Sequence, residues 1–133
     1  MRIDVESIAA AKDPKRAIFD RLAPALKTIP RLYGNRVLLA TYIRPEKTAG
    51  GIYRPTSDIE EDRYQGKAGL ILRIGEQAFE NDETYKWGVR PCVGDWVFFW
   101  PSDSREIGLA GLSCRVIRDF QIAGPTTDPM LLY

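Results

Sequence analysis

From Arg36 onward the chain alternates short apolar runs with polar breaks marked by glycine, proline or clustered charge, the texture of a protein built from strands. Arg36-Val37-Leu38-Leu39-Ala40-Thr41-Tyr42-Ile43 is an aliphatic run rich in β-favouring residues. Ala68-Gly69-Leu70-Ile71-Leu72-Arg73-Ile74 predicts a second strand, stopped by Gly75. Pro91 to Trp100 reads as a Gly94-Asp95 turn feeding an aromatic strand. That strand lacks clean alternation, so both its faces are expected to be covered, with Trp96, Val97 and Phe98 at or near the core. Gly108 and Gly111 bracket a loop or short strand, and Arg115 to Ile122 is expected to close the β region. Short strands with turn signals and no helical pattern between them predict a mainly β fold, a small closed or nearly closed barrel.

Residues 1–34 have a different period. Asp13 followed by Pro14 is a helix cap and first-turn pair, and Ala17, Ile18, Leu22, Ala25, Leu26 and Ile29 recur at helical spacing. Pro24 interrupts that stripe, which predicts a kink or two short helices. The apolar face of this extension needs cover, from its own barrel or from a neighbouring subunit. The expected organisation is a helical extension at 1–34, a β-barrel domain at 35–124 and a tail at 125–133 that begins turn-like and ends apolar.

Between the first two strands lies a segment of another kind. Glu46-Lys47-Thr48-Ala49-Gly50-Gly51-Ile52-Tyr53-Arg54-Pro55 leads into the charge-rich stretch Thr56 to Arg63. Paired glycines remove side-chain restraint and the flanking charges cannot build a core, so 46–64 is expected to be a mobile excursion from the barrel. The pair Ile52-Tyr53 at its centre is an apolar bait suited to docking on a partner.

Composition removes several functions. The chain has 133 residues, enough for one domain with a respectable core. Its formal net charge is only +1 with the cations scattered, so no nucleic-acid surface is expected. No apolar run approaches the roughly 20 residues that span a bilayer, and the N-terminus is too acidic for a secretory signal, so a cytoplasmic location is expected without membrane contact. There is no histidine, which eliminates Ser-His-Asp and Cys-His nucleophiles and most zinc sites. Gly66-Lys67-Ala68 lacks the upstream glycine and the Ser or Thr of a phosphate loop. Cys92 and Cys114 are far apart and read as small buried hydrophobes, with a disulfide as the lesser alternative. Carboxylates cluster in predicted loops, where they are solvated charge. These absences argue against an enzyme and against a bound cofactor or metal.

Four blocks in order resemble the GroES family of co-chaperonins. Asn35-Arg36-Val37-Leu38-Leu39 is similar to the family's opening Asp-Arg-Val strand, and Lys47-Thr48-Ala49-Gly50-Gly51-Ile52 to its Lys-Ser-Ala-Gly-Gly-Ile mobile loop. Gly66 to Gly75 resembles the strand after that loop, and Val93-Gly94-Asp95-Trp96-Val97-Phe98-Phe99 the Val-Gly-Asp-x-Val-x-Phe strand. The resemblance implies a GroES-like β-barrel, a ring-shaped homo-oligomer, no cofactor, and a loop that docks on the apical domains of a chaperonin through Gly50, Gly51, Ile52, Tyr53 and Arg54. Pairing of open strand edges around a ring would place Val37, Val116 and Ile122, with the apolar Met130, Leu131 and Leu132 of the tail, at subunit contacts. Two departures stand out. Three aliphatic residues follow the glycine pair in the family, whereas here Ile52 is followed by Tyr53 and Arg54. The added ends suggest a phage-encoded member, which opens an alternative: a virion structural protein on the capsid surface or head, using the barrel as an assembly module among capsid proteins.

Overall fold

The computed structural model describes residues 13–24, 29, 31–43, 68–80, 90–100, 104 and 106–129. Among them are one α-helix, α1 (Pro14–Leu22), and six strands: β1 (Arg36–Thr41), β2 (Ala68–Ile74), β3 (Trp96–Phe99), β4 (Glu106–Leu109), β5 (Leu112–Arg118) and β6 (Ile122–Pro125). Asp13 caps α1, its Oδ1 accepting from the Arg16 N–H at 3.2 Å, and Pro14 occupies the first turn, where its missing N–H costs nothing. The helix ends at Leu22, two residues before Pro24. Ile18 and Leu22, one turn apart, are 2% and 1% exposed and pack with Ile29, Leu38, Leu70 and Trp96. The helical face is therefore covered by the sheet of its own chain.

All strands pair antiparallel in one sheet of order β4-β5-β1-β2-β3-β6. Alternation along β1 sends Leu38 and Ala40 to the face under α1 and Val37 and Leu39 to the other, where they join Ile71, Phe79, Val97, Phe99 and Ile117. Both faces are covered, which is why these strands read as continuous apolar runs. Gly75, expected to stop β2, does so by close contact: its N–H donates to the Arg36 carbonyl at 2.8 Å. The Gly94-Asp95 turn also forms, with Gly94 at φ +94° and the Asp95 carboxylate accepting from the Cys92 N–H at 2.8 Å.

A flat sheet is impossible for this connectivity. β5 and β6 stand four strands apart in the order, roughly 19 Å at about 4.8 Å per strand. Only the 3-10 turn Asp119–Gln121 joins them, and four Cα steps reach at most about 14 Å. The sheet must curl, bringing β3 and β6 across the Val37-Leu39 face and placing Phe99, Ile117 and Ile122 in one cluster. The link is fastened at both ends, by Asp119 N–H to the Asn35 carbonyl at 2.9 Å and by Trp100 N–H to the Gln121 carbonyl at 3.0 Å. The expected barrel is thus a tightly curled sheet with β4 and β6 at the two ends of its described hydrogen bonding.

Three sequence expectations change. Gly108 lies inside β4, and the bend falls at Ala110-Gly111, with φ of +52° and +82°, the paired positive values of a two-residue hairpin turn. The expected closing strand Arg115 to Ile122 is two strands broken by the 3-10 turn. In β3 the deeply buried aromatics are Trp96 and Phe99 rather than Phe98, which is half-buried over the cross-strand Gly124.

Candidate partner-binding site

The expected docking residues Gly50, Gly51, Ile52, Tyr53 and Arg54 lie outside the described residues, as do Met130, Leu131 and Leu132. The base from which the 46–64 segment departs is well defined. Residues 44–67 connect β1 to β2, adjacent antiparallel strands in register at Thr41 and Gly69. The Tyr42 N–H donates to the Ala68 carbonyl at 2.8 Å, carrying the ladder one residue beyond β1. Tyr42 and Ile43 are 5% and 8% exposed, and the Tyr42 ring meets Trp96 edge-on at 5.6 Å. Such edge-to-face pairs stabilise by about 0.5–1.5 kcal/mol beyond area burial. The strand ends that flank residues 44–67 are therefore held side by side.

On the concave face, below Thr41, sits a polar group. Arg115 is 2% exposed, and its guanidinium donates to the Ser104 carbonyl at 3.0 Å and to Ser104 Oγ at 2.8 Å. Glu106, its cross-strand partner, accepts from Ser113 Oγ at 2.7 Å. Burial pushes the Arg115 pKa down while the Glu106 charge pushes it back up. The Ser113–Glu106 bond ties β5 to β4, and the Arg115 guanidinium anchors residue 104. Cys114, on the opposite face, is fully buried, and burial together with Glu106 pushes its thiol up to about 12. Cys92, expected to be buried, is exposed.

Of the expected subunit contacts, Val37 is 0% exposed in the chain's own core and has no surface to offer a neighbour in this fold. Val116 and Ile122 are half-buried and pack against opposite faces of the sheet. Sequence reasoning missed two exposed aromatics. Trp100, expected in the covered strand, is 64% exposed just past its end, and Phe120, in the crossing turn, is 72% exposed. Gln121 Nε2 donates to the Trp100 carbonyl at 3.3 Å, so the two aromatic positions flank one joint. A groove of about 440 Å³ runs between the start of α1 and the β3 and β6 strands, lined by Lys15, Asp95, Trp96, Pro125, Thr126 and Thr127.

No group of three or more acidic, cysteine or histidine side chains is placed to hold a metal among the described residues, and no described helix is long and apolar enough to cross a membrane. The described residues form a curled antiparallel sheet with both faces packed, and residues 44–67 join its adjacent strands β1 and β2. Residues 31–125, spanning every described strand, match the model of the chaperonin 10 kDa subunit. The chain belongs to that family. No individual curated protein matches it significantly.

Proposed function

We propose that this protein is a cytoplasmic co-chaperonin-like lid that assembles into a homo-oligomeric ring and caps a chaperonin chamber through its 46–64 loop. The family match carries this reading, supported by a loop base fixed between two hydrogen-bonded strands. Ile52 is the residue that enters an apolar groove on the chaperonin, contributing roughly 1.5–3 kcal/mol if fully buried. Gly50 and Gly51 give the reach, Tyr53 extends the apolar contact, and Arg54 lays its stem along the groove with its charge in water. Each loop binds weakly, and a ring of loops gains strength by avidity. It acts as a binding protein without catalysis.

The test is capture of a chaperonin by the purified full chain with and without ATP, followed by assisted refolding of a stringent substrate. ATP-dependent capture and refolding are expected, and both should be lost in Ile52→Asp, which would bury an unpaired charge at every loop while leaving the sheet folded. A wild-type chain that neither captures chaperonin nor supports refolding ends the lid reading. The assembly-module alternative would then take its place.

A further inference from the structure

Three arginines gather on one face of three adjacent strands, at the end of the sheet away from the loop base. Arg36 on β1 and Arg118 on β5 are directly opposed cross-strand partners, and Arg73 on β2 is opposed to Leu38, two residues along β1 from Arg36. Arg36 and Arg118, as opposed partners two residues from Leu38 and Val116, leave the sheet on the side that carries those two. A bulge at Leu72 breaks the alternation of β2, and Arg73, opposed to Leu38 and followed by Ile74 on the other face, leaves on the same side. Arg73 and Arg118 are exposed and Arg36 is half-buried.

Like charges placed opposite one another destabilise a sheet. The nearby carboxylates among the described residues are engaged elsewhere. Glu76 pairs with Arg31, and the Asp119 carboxylate accepts from Asn35 Nδ2 at 3.1 Å and from the Phe79 N–H at 3.0 Å. Two of the arginines are instead steadied by neutral acceptors. Arg118 donates to Asn35 Oδ1 at 3.0 Å and Arg36 to the Tyr33 carbonyl at 3.4 Å. These contacts fix orientation without cancelling charge. Among the described residues no carboxylate pairs with any of the three.

We infer that Arg36, Arg73 and Arg118 form a docking surface for a carboxylate-rich polypeptide segment of a partner protein. Guanidinium forks match carboxylates two bonds at a time, and three forks on neighbouring strands offer a compact set suited to a short acidic stretch. A nucleic acid would need a longer basic track than three side chains on a chain of net charge +1. Tyr33, 84% exposed beside Arg36, supplies an apolar rim. This surface is independent of chaperonin capping.

The experiment uses the full chain and two labelled probes, octaglutamate and an oligothymidylate of eight nucleotides, followed by fluorescence anisotropy at about 50 mM salt, where surface charge is weakly screened. Octaglutamate should bind, and Arg73→Glu and Arg118→Glu should each weaken it by about tenfold or more. Arg16→Glu makes the same charge change at an exposed helical site beside Asp20 and should leave affinity within about twofold. Arg73→Gln and Arg118→Gln should lose binding while the melting temperature holds or rises, because repulsion is relieved. Absence of octaglutamate binding overturns the inference, as does equal weakening by Arg16→Glu. Tighter binding of the oligothymidylate through the same arginines also overturns it, assigning the surface to nucleic acid.

Discussion

Leu22→Ala tests whether α1 is an integral part of the fold. Leu22 is 1% exposed and, with Ile18, fills the face of the sheet lined by Leu38, Leu70 and Trp96. Truncation removes three carbons, about 2.4 kcal/mol of transfer free energy at roughly 0.8 per methylene. A cavity term adds to this, and buried Leu→Ala changes span about 2–5 kcal/mol. Leu22 closes the helix, next to Ala23 and Pro24, where the chain can settle into part of the void, so we expect a loss of about 3 kcal/mol. For a chain of this size that lowers the melting temperature by about 10 °C. Urea unfolding followed by tryptophan fluorescence is the assay, since Trp96 lies in the same cluster and reports its loosening. Arg16→Ala, whose side chain is 81% exposed, is the control and should cost under about 0.5 kcal/mol. An unchanged midpoint for Leu22→Ala would show that α1 contributes nothing to the core. A loss that disappears on raising the protein concentration would show that the helix is covered by a neighbouring subunit instead.

Gly75→Ala should be severely destabilising by thermal melt, because a Cβ there would sit 2.8 Å from the Arg36 carbonyl oxygen and closer still to that of Gly34, both backbone atoms that cannot step aside. Asp119→Ala removes the carboxylate that accepts from the Phe79 N–H and the Asn35 amide and should cost about 1–3 kcal/mol in chemical denaturation; a change under about 0.5 would mean that the crossing turn holds without its carboxylate. A thiol reagent at pH 8 should modify Cys92 in the native protein and Cys114 only after unfolding, and rapid labelling of both would contradict the burial of Cys114. The thiol pKa of Cys114 is raised to about 12 in the folded chain from 9.0, so between those values the unfolded chain has lost a proton that the folded chain keeps. Stability should therefore be unaffected by this group below pH 9 and fall above it by up to about 1.4 kcal/mol per pH unit; Cys114→Ala should flatten that slope.

Much of the local structure was legible in the residue order. The aliphatic runs at Arg36 and Ala68, the Asp13-Pro14 cap and the Gly94-Asp95 turn are decided by neighbours in sequence, through side-chain shape and backbone restriction, and each forms where its chemistry predicts. The ordered blocks from Asn35 to Phe99 likewise pointed to the family that residues 31–125 match. The candidate docking residues were named from that order too, since a glycine pair among charges is a local signal. What joins the strands on either side of them was not, because the Tyr42-Ala68 bond and the Tyr42-Trp96 contact link distant positions.

The tertiary structure settled whatever depends on partners far along the chain. Alternation fixes which residues share a face but not which of two aromatic neighbours goes deeper. Phe99 lies in the concave cluster, while Phe98 spreads over Gly124 of β6. No glycine signal marks Ala110, whose positive φ is imposed by the pairing of β4 with β5. The break at Asp119–Gln121 arises because the chain must cross a curled sheet in three residues, a constraint that exists only once the strand order is set. The same applies to Arg36, Arg73 and Arg118: scattered in sequence, they meet through the registers of β1 with β2 and β5. Sequence determines local preference, and cross-strand register decides which charges and apolar faces are brought together.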